Sequence, residues 1–255
     1  LRPIPYAIIS NSTLLTEERA KLLVDAGLIN WSASVDSLSE IPSYDRDVLR
    51  KARSGVEWLI WFKRHGVPDT HAIITCTTRN IDEVPEIIKR LSQFGIWTEV
   101  TFIDTPKSEY YDFAEYPNDP SLLFQPEHLP KVKKVMEECI HLKEQGYLVH
   151  NPVEWFKGVE NYLFCNYYCS KPWSSMVVDS DGRLRLCYRI RGVHITQFEV
   201  KDLLTRPQEV KEAYLKDLAS LCQGCSWDCI WIAEKSLELK REGNPAAWFH
   251  HIREP

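Results

Sequence analysis

No stretch of this sequence is apolar for long enough to cross a bilayer, which takes about 20 residues. Residues 1–20 lack the charged, apolar and small-residue zones of a secretory leader. Nor do the basic residues cluster: Lys and Arg are scattered and the net charge is −5. The electrostatic footprint of a nucleic-acid binder is therefore missing. These absences point to a soluble, cytoplasmic protein without membrane or nucleic-acid partners. What is there is ample: 255 residues, 44% of them hydrophobic, can bury one large core or two modest ones.

The first half alternates strand and helix signals. Ile4 to Ile9 reads as a strand running into a Ser10-Asn11-Ser12 loop. Thr16 caps a helix with Glu17 and Glu18 in its first turn, Leu22, Leu23 and Ala26 as its inward stripe and Gly27 as its stop. A strand over Ile29 to Val35 follows. A long helical stretch then runs to about Arg64, with Val48, Val56, Leu59 and Ile60 facing inward, and Gly66 and Pro68 end it. His71 to Thr77 is the next strand. Asn80 caps a helix with Glu83 in the capping-box position, and Val84, Ile87, Ile88, Leu91 and Phe94 recur at helical spacing. Gly95 closes it, and Ile96 to Ile103 returns to strand.

This β-α-β-α-β-α-β order predicts parallel strands with helices outside them, as in an α/β barrel or a doubly wound sheet. A barrel needs more than four strands, and the others are expected before Leu1. Residues 105–130 hold five prolines and several aromatics, and read as a linker or substrate-facing loop. A helix over Pro130 to Gln145 follows. From Pro152 onward cysteines, tryptophans and short strands replace the βα rhythm. The expected domains are thus 1–104, a connecting linker and helix at 105–150, and a cysteine-rich α+β domain at 151–255.

Of the eight cysteines, six lie after residue 164. Clustered cysteines in a cytosolic chain bind metal or do redox work more often than they form a disulfide framework. Cys169 and Cys187 flank a segment centred on the turn signal Ser180-Asp181-Gly182, which predicts a hairpin that folds the two thiols toward one site. Cys222-Gln223-Gly224-Cys225 is a C-x-x-C knuckle, with Cys229 four residues on. Such spacing places two thiolates on adjacent corners of a tetrahedral ion or a cubane cluster. Spacing alone leaves zinc and iron–sulfur both open.

Cys169, twelve residues, Gly182, four residues, Cys187, followed by Cys222-x-x-Cys225, resembles the SPASM and twitch extensions of radical S-adenosylmethionine enzymes. With only three cysteines in its second group, the chain is closer to the single-cluster twitch type. Ile8 to Thr16 is similar to the strand and loop that usually reads T-N-G-T-L-L in these enzymes, with Ser12 in place of the glycine. Ser32-Ala33-Ser34-Val35-Asp36-Ser37 is similar to the V-S-L-D-G or V-S-L-D-S strand.

The resemblance covers nearly the whole chain. It implies a partial (β/α) radical-S-adenosylmethionine barrel followed by a small SPASM/twitch-like domain. It implies an auxiliary [4Fe–4S] cluster on Cys169, Cys187, Cys222 and Cys225, with Cys229 or, more weakly, Cys165 as a substitute. Asn11, Ser34 and Arg53 are implied near bound S-adenosylmethionine. The implied chemistry is a 5′-deoxyadenosyl radical that abstracts hydrogen from a peptide or small-molecule substrate, with a flavodoxin- or ferredoxin-like reductant and the auxiliary cluster carrying electrons.

The C-x-x-x-C-x-x-C loop for the catalytic cluster and the G-G-E segment are absent from these residues. A second [4Fe–4S] cluster is therefore expected only in a longer protein, and the chain as written is expected to be inactive. Tyr110, Tyr111, Tyr167, Tyr168, Trp173 and Trp227 either line a substrate channel or pack around the cluster domain. A reading from another class is a metal-stabilised, non-catalytic binding module holding zinc or iron–sulfur.

Overall fold

A computed structural model describes residues 6–40, 54–103, 119–164 and 166–168, with shorter pieces at 177–178, 184–185, 201–206, 208–210, 212–213, 215–216 and 222. These fall into two compact units, one built from described residues up to 103 and from 124–159, the other from 119–123 and the described residues between 160 and 248.

The first unit is a parallel sheet of β1 (Tyr6–Ser10), β2 (Leu28–Ser34), β3 (Asp69–Cys76) and β4 (Trp97–Phe102), with the strands in sequence order. Between them run α1 (Glu17–Asp25), α2 (Gly55–Arg64) and α3 (Val84–Gln93), and α4 (Leu129–Glu144) and α5 (Val153–Lys157) follow. Strands added always at the same edge by right-handed crossovers put the connecting helices on one face. This excludes, among the described strands, the reversal of order that marks a doubly wound sheet. Beyond β4, Val149 bridges to Thr98 in parallel, and the Asn151 side chain bonds both the N–H and the C=O of Val100, at 2.7 and 2.8 Å. The chain thus begins a fifth strand position in the same direction.

The helix-side core is aromatic and aliphatic. Trp31 of β2 stacks on Phe62 of α2 at 4.5 Å, and Phe102 of β4 stacks on Trp155 of α5 at 5.4 Å. Full burial of a side chain such as Phe62 contributes about 1.5–3 kcal/mol. On α3, Val84, Ile87, Ile88 and Leu91 of the expected stripe are buried, whereas Phe94 is half-buried at the C-cap. On α2, Val56 and Leu59 are buried as expected, Ile60 is only half-buried, and Trp58, Trp61 and Phe62 fill the face instead. Val48 lies outside the described residues.

Two local expectations are corrected. The inward stripe of α1 is Ala20, Leu23 and Val24, whereas Leu22 is 62% exposed and Ala26 is exposed. The helix is turned by one residue from the expected phase, because Ala20 is the position that fits under β2. Asn80 and Glu83 form no capping box: Ile81–Glu83 is a single 3₁₀ turn, α3 starts at Val84, and the Asn80 side chain makes no cap bond. Pro85 in the first turn of α3 needs no N–H partner, so the helix starts without that cap. The capping box that does form is Ser54 with Glu57 at the start of α2. Thr16 caps α1 as expected, and Gly66 takes the left-handed φ of +83° that lets the chain leave α2.

In the second unit, α6 (Val159–Leu163) and α7 (Asp202–Thr205) are short, and β5 (Val177–Val178) pairs antiparallel with β6 (Leu184–Arg185). Val177 faces Arg185 and Val178 faces Leu184, the pairing a hairpin turning at 180–182 requires; those turn residues lie outside the described ones. Among the described residues no helix is long and apolar enough to cross a membrane.

Candidate functional site

The C-terminal ends of parallel strands are where open α/β sheets and barrels present loops for ligands. The last paired residues of β1 and β2 are Ser10 and Ala33, so Asn11 and Ser34 emerge next to each other, one residue beyond that pair. Asn11 is exposed and Ser34 half-buried. The Asn11 carbonyl oxygen accepts from the Thr13 N–H at 3.2 Å and its hydroxyl at 2.9 Å, which shapes the loop and leaves the amide NH₂ as the donor end. Ser12, buried at 3% exposure, has a φ of +62°, in the left-handed region that favours glycine. That conformation is the physical reason a glycine suits this position.

Arg53 lies outside the described residues. Its neighbours open α2, and a Cβ added at Gly55 would sit 3.1 Å from the Ser34 carbonyl oxygen and 3.3 Å from the Ala33 Cβ. Only the absence of a side chain there lets α2 start against the end of β2. A cavity of about 420 Å³ borders Asn11 on the helix side of β1 and β2, walled by Leu14, Leu22 and Leu23 with Arg19 beside them.

Of the proposed cluster thiols, Cys222 is described: it is half-buried and free. Cys165, Cys169, Cys187, Cys225 and Cys229 lie outside the described residues, as do Tyr110, Tyr111, Trp173 and Trp227. Tyr167 is half-buried and Tyr168 is 64% exposed. Cys76 and Cys139 are both fully buried in the first unit, far from solvent chemistry. Burial pushes the Cys76 thiol well above its usual pKa and the Cys139 thiol to about 12. Burial thus holds both as thiols near neutral pH.

A second polar centre was not singled out in the sequence. On the face opposite the helices, β2 carries Asn30 and Ser32, β3 carries Asp69 and His71, and β4 carries Glu99. His71 is 8% exposed. Its Nδ1 is 3.6 Å from Asp69 Oδ2, and its Nε2 is 3.4 Å from Glu99 Oε2 and 2.9 Å from Ser32 Oγ. Ser32 Oγ donates to Asn30 Oδ1 at 2.9 Å, and Asn30 Nδ2 donates to Asp69 Oδ2 at 2.5 Å, closing a ring of polar contacts. His150 stacks parallel to His71 at 5.7 Å.

Burial alone would drive the His71 proton off, but the hydrogen bonds and charges of Asp69 and Glu99 outweigh it and lift its pKa to about 9. Burial also opposes ionisation of Asp69 and Glu99, and their contacts with His71 reverse it, so both are held below the usual carboxylate range. His150 goes the other way: burial lowers its pKa, with Glu99 only partly opposing. At neutral pH the centre is an imidazolium between two carboxylates with a neutral imidazole beside it. Polar residues at every second position of three consecutive strands (30 and 32, 69 and 71, 99) are the signal that would have revealed it.

Among the described residues, no three His, Cys, Asp or Glu side chains are arranged to hold a metal ion. Asp69, His71 and Glu99 lie in the first halves of β3 and β4, away from the C-terminal ends of those strands. No known family model matches the chain, and no curated protein matches it.

Proposed function

We propose that the chain is the later part of a radical S-adenosylmethionine enzyme with a twitch-like auxiliary [4Fe–4S] domain, acting on a peptide or small molecule. The observation that carries the reading is the singly wound parallel sheet whose first two strands end side by side in Asn11 and Ser34. These are the residues that the resemblance aligns with the cofactor-facing strand ends. The antiparallel pairing of β5 and β6 between Cys169 and Cys187 supports the second half of the reading, because it folds that segment back on itself.

The residues fit the groups they are assigned. An uncharged amide donor at Asn11 and a hydroxyl at Ser34 suit the polar, hydroxyl-bearing part of S-adenosylmethionine, with Arg53 assigned to its carboxylate. Thiols of the Cys222 kind are soft donors of the type that iron–sulfur clusters take. Cys169, Cys187, Cys222 and Cys225 would hold the auxiliary cluster, with Cys229 the alternative ligand. When bound, S-adenosylmethionine and its reducing cluster supply a carbon-centred radical that takes a hydrogen atom from the substrate, and the auxiliary cluster supplies electron transfer. The part of the chain's own residues is to bind and orient the cofactor at the strand ends and to keep water from the reacting atoms.

Anaerobic reconstitution with iron and sulfide, followed by absorption spectroscopy, tests this. A brown protein with a broad shoulder at the blue edge of the visible is expected. A colourless chain carrying stoichiometric zinc would establish instead a metal-stabilised binding module.

A further inference from the structure

The backbone ladder between β2 and β3 has its last register pair at Ser34 and Ile73, yet the chain beyond Ser34 stays tied to β3. Val35 N–H donates to Ile73 O at 3.0 Å, and the Asp36 carboxylate accepts from Thr75 N–H at 2.7 Å. The third tie is Asn80, which is 9% exposed. Its Nδ2 donates to Asp36 O and to Thr75 O, both at 2.9 Å, and its Oδ1 accepts from Thr77 N–H at 2.7 Å and Thr77 Oγ1 at 3.1 Å. An amide offers two donors and two acceptor positions, and all four are filled. Glu83 extends the arrangement by accepting from Leu38 N–H at 2.8 Å and Ser37 Oγ at 3.3 Å.

Asn80 stands where a helix cap would be expected, yet its side chain holds no helix N–H of the following turn. It is turned instead onto the loop that follows Ser34. On its other side Ser34 is confined by Gly55, whose missing side chain admits the start of α2. The strand end is therefore clamped from both flanks, and Asn80 supplies one of the bonds that fix its path, to Asp36 O, while its other three anchor it on Thr75 and Thr77 at the end of β3.

We propose that Asn80 is a positioning residue for ligand binding at the strand ends, setting the Ser34 hydroxyl by tying Asp36 to the end of β3. This rests on the assignment of Ser34 to S-adenosylmethionine above. In Asn80→Asp the shape is kept, but a carboxylate oxygen replaces the NH₂ that faces two carbonyls, so residues 34–36 lose their tether and are repelled.

The test is calorimetric titration of the full, reconstituted chain with S-adenosylmethionine, at a temperature where the variants share the wild-type circular dichroism. Asn80→Asp should weaken Kd by about tenfold, about 1.4 kcal/mol of binding. Asp82→Asn should leave Kd unchanged: Asp82 belongs to the same turn but is exposed, paired with Lys131 at 2.6 Å. A purely structural Asn80 would lower Tm and leave Kd alone, so a folded Asn80→Asp chain with wild-type Kd overturns the proposal. If Asn80→Asp does not fold, Glu83→Gln slackens the same loop more gently; a weaker Kd supports the proposal and an unchanged one contradicts it. Failure of the wild-type chain to bind S-adenosylmethionine saturably would overturn the underlying assignment, and this inference with it.

Discussion

At the scale of single residues, His71 carries the clearest electrostatic consequence. Its imidazolium is favoured by Asp69 and Glu99 more than burial disfavours it, so its pKa is raised from 6.5 to about 9. A histidine whose folded pKa is raised contributes stability that is fully present below the unfolded value and is lost as pH climbs through the folded one. The contribution should therefore fade between about pH 6.5 and 9, by on the order of 3 kcal/mol. Below pH 6.5 the neighbouring His150, whose pKa is lowered, opposes folding as the unfolded chain takes up its proton. Lower still, the depressed carboxyls of Asp69 and Glu99 are protonated and their contribution is lost as well. Stability should peak near the ordinary histidine pKa of about 6.5. Denaturant midpoints measured against pH check this: His71→Gln should be less stable at neutral pH and lack the alkaline decline, and an unchanged alkaline limb would refute it. As His71 gives up its Nδ1 proton, the Asn30 amide, 3.1 Å away, becomes a donor to that nitrogen and softens the loss.

The same residues show what the sequence leaves unread. Asn30, Ser32, Asp69, His71 and Glu99 come from three segments spread over 70 residues, and each looks like an ordinary polar strand position until the strands are registered. Asn11 and Ser34 are singled out by resemblance to family motifs; the structure puts both at the C-terminal ends of β1 and β2, and their part in a cofactor site is a proposal. Arg53 and the cysteines other than Cys222, Cys76 and Cys139 lie outside the described residues, so their placement remains a proposal.

At the scale of elements, periodicity placed the strands and α3 well, because one buried stripe and one neighbouring sheet decide both. It misplaced the inward stripe of α1, where the run Leu22-Leu23-Val24 allows more than one phase and Ala20 proves to be the buried position. It also assigned Asn80 and Glu83 to a cap, since local spacing cannot show that a neighbouring loop competes for the same side chains. Gly55 makes the element-scale prediction. Alanine is ordinarily the better helix residue by about 1 kcal/mol, yet here its Cβ would press on Ser34 O at 3.1 Å. Gly55→Ala should lower stability by about 1 kcal/mol, as overpacking of a close contact does, visible as a lower denaturant midpoint. A variant as stable as wild type would show that α2 has room to withdraw.

At the scale of the whole molecule, the chain divides into a sheet unit and a second unit that holds six of its eight cysteines. The first unit buries its own large apolar core, and the second is where the proposed auxiliary [4Fe–4S] centre would be held. Mössbauer spectroscopy of the anaerobically reconstituted chain tests that most directly. A single [4Fe–4S] centre with about four irons per chain, lost when Cys222 is replaced by alanine, is the predicted result. Iron bound only as isolated ions, or a spectrum indifferent to Cys222, would contradict it.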